Sequence, residues 1–199
     1  MLGTTDNGQK VVLNQDGTWH YQNAGLAKAD NRHCFRKTYW GMHAADVKQS
    51  ETSVEWIEGD GFLAFESTLT GNSCLVVFVF LNGILVRGKY VFNQDFANAN
   101  TYLSKFDELK ASLQKKYPLL ISDDEYWVND LFRDDYQNWG TAVSAGHMSR
   151  FTNWADEQTN IFLSLTGEGY QCTLSIEYSA KAHEADEAKH KEALLLDML

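Results

Sequence analysis

Apolar and polar positions alternate with period two in several stretches of this chain, and two stretches switch to the helical period instead. The first alternation is "VVLNQDGTWHYQ". Val11 and Leu13, then Trp19 and Tyr21, flank Asn14-Gln15-Asp16-Gly17-Thr18, the pattern of a β-hairpin, and a second turn precedes it at Asp6-Asn7-Gly8. An isolated two-stranded ribbon is marginal in water, so Trp19 and Tyr21 are expected to pack on the rest of the chain or on a partner. A polar linker follows from Gly25 to His33, and then a short helix beginning near His43 and running through Asp46 and Val47.

An antiparallel series comes next. Val54–Ile57 turns through Glu58-Gly59-Asp60-Gly61 into Phe62–Leu69, and Cys74–Leu81 turns through Asn82-Gly83 into Ile84–Phe92. Asn-Gly between two β-rich runs is the strongest short-range hairpin signal. A two-residue loop there pairs Leu81 with Ile84, Val79 with Val86 and Val77 with Gly88. Leu75, Val77, Val79, Leu81, Ile84, Val86 and Tyr90 then share one face, leaving Phe78, Phe80, Arg87 and Lys89 on the other. Tyr102, Phe106, Leu109, Leu113 and Tyr117 form one helical stripe, which Asn100 is placed to cap and Pro118 to end. Helical spacing around Trp127, Leu131 and Val143 predicts helix between Asp124 and Gly146, interrupted near Asp134-Asp135. Strands return at Met148–Trp154, Thr159–Leu165 and Tyr170–Tyr178, and the Ala- and charge-rich tail reads as a helix.

Strand runs separated by helices indicate an α+β fold: a predominantly antiparallel twisted sheet with helices on one face. The predicted organisation is an N-terminal β-hairpin appendage over 1–24, one α+β domain over 34–179 and a C-terminal helix over 180–199. That helix is polar at its start and crowded with Leu194, Leu195, Leu196, Met198 and Leu199 at its end. It is expected to project and bury that end against a second copy (a homo-oligomer) or another partner, or else to fold back on its own sheet.

Composition narrows the partners. The formal net charge of −10 opposes binding to nucleic acid or to an anionic membrane surface. No apolar run approaches the roughly 20 residues of a spanning helix. Cys34, Cys74 and Cys172 lack C-x-x-C spacing; Cys74 and Cys172 read as buried thiols, and the spacing leaves one disulfide open.

Two segments carry a resemblance. "DNGQKVVLNQDGTWHYQ" resembles a motif, D-G-x-x-V-x-L-x-x-D-G-T-W-x-Y, near the start of mature bacterial exported proteins. "FRKTYWGMHAADVKQSE" is similar to the W-G-M-[ST]-x-x-[ED]-V helix start of uncharacterised bacterial lipoprotein-like proteins, and more distantly to small outer-membrane-assembly lipoproteins. "VRGKYVF", "KKYP" and a Trp before the last strands extend the likeness over roughly 35–178. His43 departs from it by replacing the usual Ser or Thr cap, with Asp46 at the capping-box position. The resemblance implies a periplasmic or lipoprotein-type envelope protein with an export leader ahead of this sequence; no signal peptide is visible, and the alternative is the cytoplasm.

Candidate chemistry is sparse. There is no G-x-S-x-G, P-loop or G-x-G-x-x-G, and no motif implies a cofactor. His183, Glu187 and His190 share a helix face and are the candidate metal ligands of an alternative reading, a metal-dependent hydrolase or another enzyme using these tail residues. Asp123, Asp124, Glu125, Asp134 and Asp135 lack the spacing of a calcium loop. His147 lies too near Ser144 and Ser149 in sequence for a triad. The favoured reading is a non-catalytic binding or structural domain that contacts an envelope protein or a small ligand through exposed aromatics, with Trp19, Tyr21, Trp40 and Trp139 as candidates.

Overall fold

The structure, a computed structural model, describes residues 33–197 (side chains to 196) and, ahead of them, the backbone of three short strands at 2–4, 10–13 and 19–21. These strands, β1 (Leu2–Thr4), β2 (Lys10–Leu13) and β3 (Trp19–Tyr21), form an antiparallel sheet in that order. The expected hairpin is β2–β3, with Leu13 opposite Trp19 and Val11 opposite Tyr21. It is not an isolated ribbon, because β1 pairs with β2. The side chains of Trp19 and Tyr21 lie outside the described residues.

Residues 1–32 and 33–199 form two compact units. The second runs α1 (Ala44–Ser50), β4 (Ile57–Gly59), β5 (Phe62–Leu69), β6 (Asn72–Leu81), β7 (Ile84–Phe92), α2 (Asn100–Lys116), β8 (Leu120–Trp127), α3 (Trp139–Ser144), β9 (Met148–Ala155), β10 (Thr159–Glu168), β11 (Gln171–Ala180) and α4 (Glu184–Asp197). The fold is α+β, as the sequence predicts. One open antiparallel sheet has the order β4-β5-β6-β7-β11-β10-β9-β8. Each half is a helix followed by a four-stranded meander, and the halves join where β7 pairs with β11.

Turn chemistry sets the hairpins. Thr70-Gly71, Asn82-Gly83 and Gly169-Tyr170 each place two consecutive residues at positive φ, the type I′ geometry whose twist matches paired strands. Gly83, at φ +80°, takes this conformation without the steric cost of a Cβ. The predicted Leu81–Ile84 pair is present, but Val86 is an extra residue in a bulge. Val79 therefore faces Arg87 and Phe78 faces Gly88. The expected core face of β6 is also inverted: Cys74, Val76 and Phe78 are buried, while Leu75, Val77 and Val79 are half-exposed. An aromatic cluster decides this. Phe35 sits 5.1–5.3 Å from the rings of Phe78, Tyr90 and Tyr178, and Phe65 and Trp56 pack beside it.

The α2 stripe is buried as predicted. Its start differs: Asn98, not Asn100, accepts a helix amide, through Oδ1 from Asn100 N (3.0 Å). The Asn100 side chain instead accepts from Gly140 N (2.6 Å) and donates to Gln137 O (2.7 Å), tying α3 to α2. His43 occupies the N-cap of α1 without a side-chain capping bond; its Nδ1 donates to the Gly83 carbonyl (3.0 Å). The expected strand at 54–57 begins only at Ile57.

The largest departure is the segment predicted helical from Asp124. Residues 120–127 are strand β8, two 3-10 turns follow at Asp130–Phe132 and Tyr136–Asn138, and only Trp139–Ser144 is α-helix. Pairing with β9 overrides the local helical spacing. Helices α2 and α3, and α1 through Val47, pack on the core, while α4 reaches the opposite face through Glu187.

Candidate functional site

Among the described residues, exposed large apolar side chains gather around β8 and the loop that follows it. Val128 N donates to the His147 carbonyl (2.8 Å), ending the strand against β9. Asn129 Oδ1 then accepts from Leu131 N (3.0 Å) and starts the first 3-10 turn. The chain returns at Trp139, whose ring packs edge-on against Trp127 at 5.6 Å and in a tilted contact against Tyr136 at 4.5 Å. Both indole N–H groups are satisfied locally: Trp139 Nε1 donates to the Arg133 carbonyl (3.1 Å) and Trp127 Nε1 to Glu125 Oε1 (2.8 Å). Phe132 stacks on His147 beneath them.

The result is an aromatic shelf fixed from below and open above. Tyr136 is 72% exposed and Leu131 and Val128 each 70%, while Tyr126, 61% exposed, alternates onto the face opposite Trp127. Leu119, Leu120 and Ile121 are exposed as well, at the opposite end of β8 beyond the acids 123–125. Single exposed apolar side chains need no explanation; here Val128, Leu131 and Tyr136 all lie within the short stretch that follows β8.

β8 is also a sheet edge. Its carboxylates are unequally engaged. Asp123 binds Lys110 of α2 and accepts from Thr152 Oγ1 (2.8 Å). Burial alone would raise its carboxyl; hydrogen bonds from Lys110 and Thr152, with the charges of Lys110 and Arg150, outweigh that and hold it below the ordinary carboxylate value. Glu125 accepts only from the Trp127 indole among the described residues, and Asp124 makes no ion pair there.

Of the aromatic candidates, Trp139 belongs to the shelf. Trp40 does not: it packs against the core and donates to Thr159 Oγ1 (3.0 Å). Val128 and Tyr136 were not singled out by the sequence, and Leu131 was read only as part of a helical spacing with Trp127 and Val143.

On the far face, Arg87 Nε donates to Glu187 Oε1 (2.5 Å), and Glu177 bridges Arg87 and Lys89. The Glu187 hydrogen bond raises the Arg87 guanidinium against the lowering effect of burial. Glu187 thus commits Oε1 to an ion pair, its Oε2 having no hydrogen-bond partner among the described residues, while His183 closes the 3-10 turn before α4 and His190 is exposed. Among the described residues, no group of three or more His, Cys, Asp or Glu side chains is arranged to hold a metal. A groove of about 820 Å³ is lined by Phe80, Val86 and Arg87 of the sheet and by Glu187, His190 and Leu194 of α4, and Leu194, Leu195 and Leu196 stay exposed. The tail therefore contacts its own sheet through Glu187 without covering its leucines.

Ser144 donates to the Thr141 carbonyl (3.0 Å) within α3, and the His147 ring, its Nδ1 without a hydrogen-bond partner among the described residues, is stacked on Phe132. Burial raises the thiols of Cys74 and Cys172, the latter to about 11, away from nucleophilic use. Among the described residues, no helix is long and apolar enough to cross a membrane. Compared with known protein families, characterised proteins and solved structures, the chain matches none of them.

Proposed function

We propose that this chain is a non-catalytic binding domain of the bacterial cell envelope, and that the shelf around Trp127, Tyr136 and Trp139 receives its partner. The observation that carries the binding reading is the exposure of Val128, Leu131 and Tyr136 beside a pair of locked indoles. A rigid aromatic base with satisfied N–H groups offers apolar contact at little entropic cost. The envelope assignment rests on the likeness of the DGTW hairpin and the W-G-M segment to exported bacterial proteins.

The test is a photo-crosslinking amino acid placed at Tyr136, and separately at Glu157 as a distant control, in the source cells. A discrete adduct at 136, absent at 157 and lost with Leu131→Asp, supports the shelf. Adducts of equal yield at both positions, or none at 136, overturn it. Fractionation of the natural gene product tests the compartment: recovery only in the cytoplasm refutes the envelope assignment and leaves the shelf standing.

A further inference from the structure

We infer that β8 is a docking edge for an extended peptide segment with two adjacent basic residues, added to the sheet as an antiparallel strand; this rests on the shelf being the partner-facing surface. Val128 donates toward β9, and backbone direction alternates along a strand. The N–H and C=O groups of Asp123, Glu125 and Trp127 therefore point away from β9. No hydrogen bond from these backbone groups is made among the described residues. An edge of eight residues with an open row of donors and acceptors is a template for strand addition.

Charge chooses the occupant. A second copy is disfavoured, because a two-fold axis would pair β8 with itself antiparallel. Every register using the middle of the strand then sets Asp123, Asp124 or Glu125 opposite one another or across a diagonal. Asp123 already holds Lys110, so the carboxylates left for a partner are Asp124 and Glu125. Adjacent strand residues point to opposite faces, and a partner strand meets both with two consecutive Lys or Arg residues, one per face. Tyr126 lies next in line and Trp127 leads onto the shelf, so the flanking partner residues on that side are apolar or β-branched.

The probe is the synthetic peptide Val-Thr-Val-Lys-Lys-Thr-Val-Thr, titrated against the full chain. Its Glu-Glu counterpart and two N-methylated versions, each blocking the amides of one peptide edge, are titrated in parallel. The expected result is binding by the Lys-Lys peptide with hydrogen exchange of the Asp123 and Glu125 amides slowed. One N-methylated version loses about tenfold or more in affinity while the other loses little, since only one edge faces β8. The Glu-Glu peptide binds at least about tenfold more weakly at low salt. Equal effects of the two N-methylated versions, or protection away from β8, overturn strand addition. If the peptide then still perturbs Trp fluorescence and Leu131→Asp abolishes that, the shelf survives alone. No binding of the Lys-Lys peptide at millimolar concentration overturns the inference without touching the crosslinking result at Tyr136.

Discussion

Gly88 is the position where a single methyl group should do the most damage for its size. It lies in β7 between Phe78 of β6 and Tyr178 of β11, and Phe35 lies directly over it. A Cβ built there would stand 2.2 Å from Phe35 Cδ1 and 2.3 Å from Cγ, well inside van der Waals contact. Phe35 has little room to retreat, being 2% exposed and packed against the rings of Phe78, Tyr90 and Tyr178. Overpacking costs about 1–3 kcal/mol, and this enclosed site belongs at the upper end. Gly→Ala in a strand returns about 0.5–1 kcal/mol of backbone entropy, so Gly88→Ala should cost a net ~2 kcal/mol. Phe35→Ala alone should cost about 3–5 kcal/mol through lost burial and the cavity left behind. The informative protein is the double variant: with the ring gone the methyl group meets no obstacle and fills part of that cavity. It should be no less stable than Phe35→Ala, a coupling of about 2–3 kcal/mol relative to additivity. Urea unfolding followed by tryptophan fluorescence and far-UV circular dichroism measures all three, with Phe35→Leu replacing Phe35→Ala if the latter does not fold. Additivity within about 0.5 kcal/mol would refute this packing of Phe35 over Gly88.

Asn100→Ala removes the acceptor for the buried Gly140 amide and should cost about 1–3 kcal/mol, with faster hydrogen exchange at Gly140 as the local sign. Asp123, with its folded value depressed, contributes stability that is present above the unfolded value near ~3.9 and lost as pH falls through the lower folded value. Asp123→Asn should therefore flatten the acid side of the stability profile, and an unchanged slope below about pH 4 would contradict it. Cys172, raised to about 11 by burial, should react with a maleimide at pH 8 on the order of a hundredfold more slowly than an ordinary cysteine, as mapped by mass spectrometry. Denaturant should abolish that difference.

The strands and α2 were readable because each announces itself locally. Asn82-Gly83 dictates a tight turn, and the Tyr102-to-Tyr117 spacing leaves one apolar stripe to bury. Which face of β6 turns inward was not readable. Leu75, Val77 and Val79 are as apolar as Cys74, Val76 and Phe78, and the choice is made by Phe35, nearly forty residues away in sequence. The bulge at Val86 has the same character: no local residue demands it, and it lets two strands with different alternation share one core.

The edge at β8 was hidden for a further reason. Strand signals assume one buried face and one wet one, and β8 buries almost nothing. Its core-side residues Asp123 and Glu125 are polar because they meet Lys110 of α2 and the Trp127 indole, not a hydrophobic layer. Deprived of alternation, the segment falls back on the spacing of Trp127 and Leu131, which mimics a helix. The three consecutive acids that erase the strand signal also keep the edge from pairing with its own copy, since like charges directly opposite are destabilising. A strand guarded in this way can stay open on a folded protein without aggregating, and it remains available to a partner whose charge is opposite. Illegibility in the sequence and the guarding of the edge thus have one cause: three consecutive carboxylates on a strand that meets polar groups of its own chain instead of a hydrophobic layer.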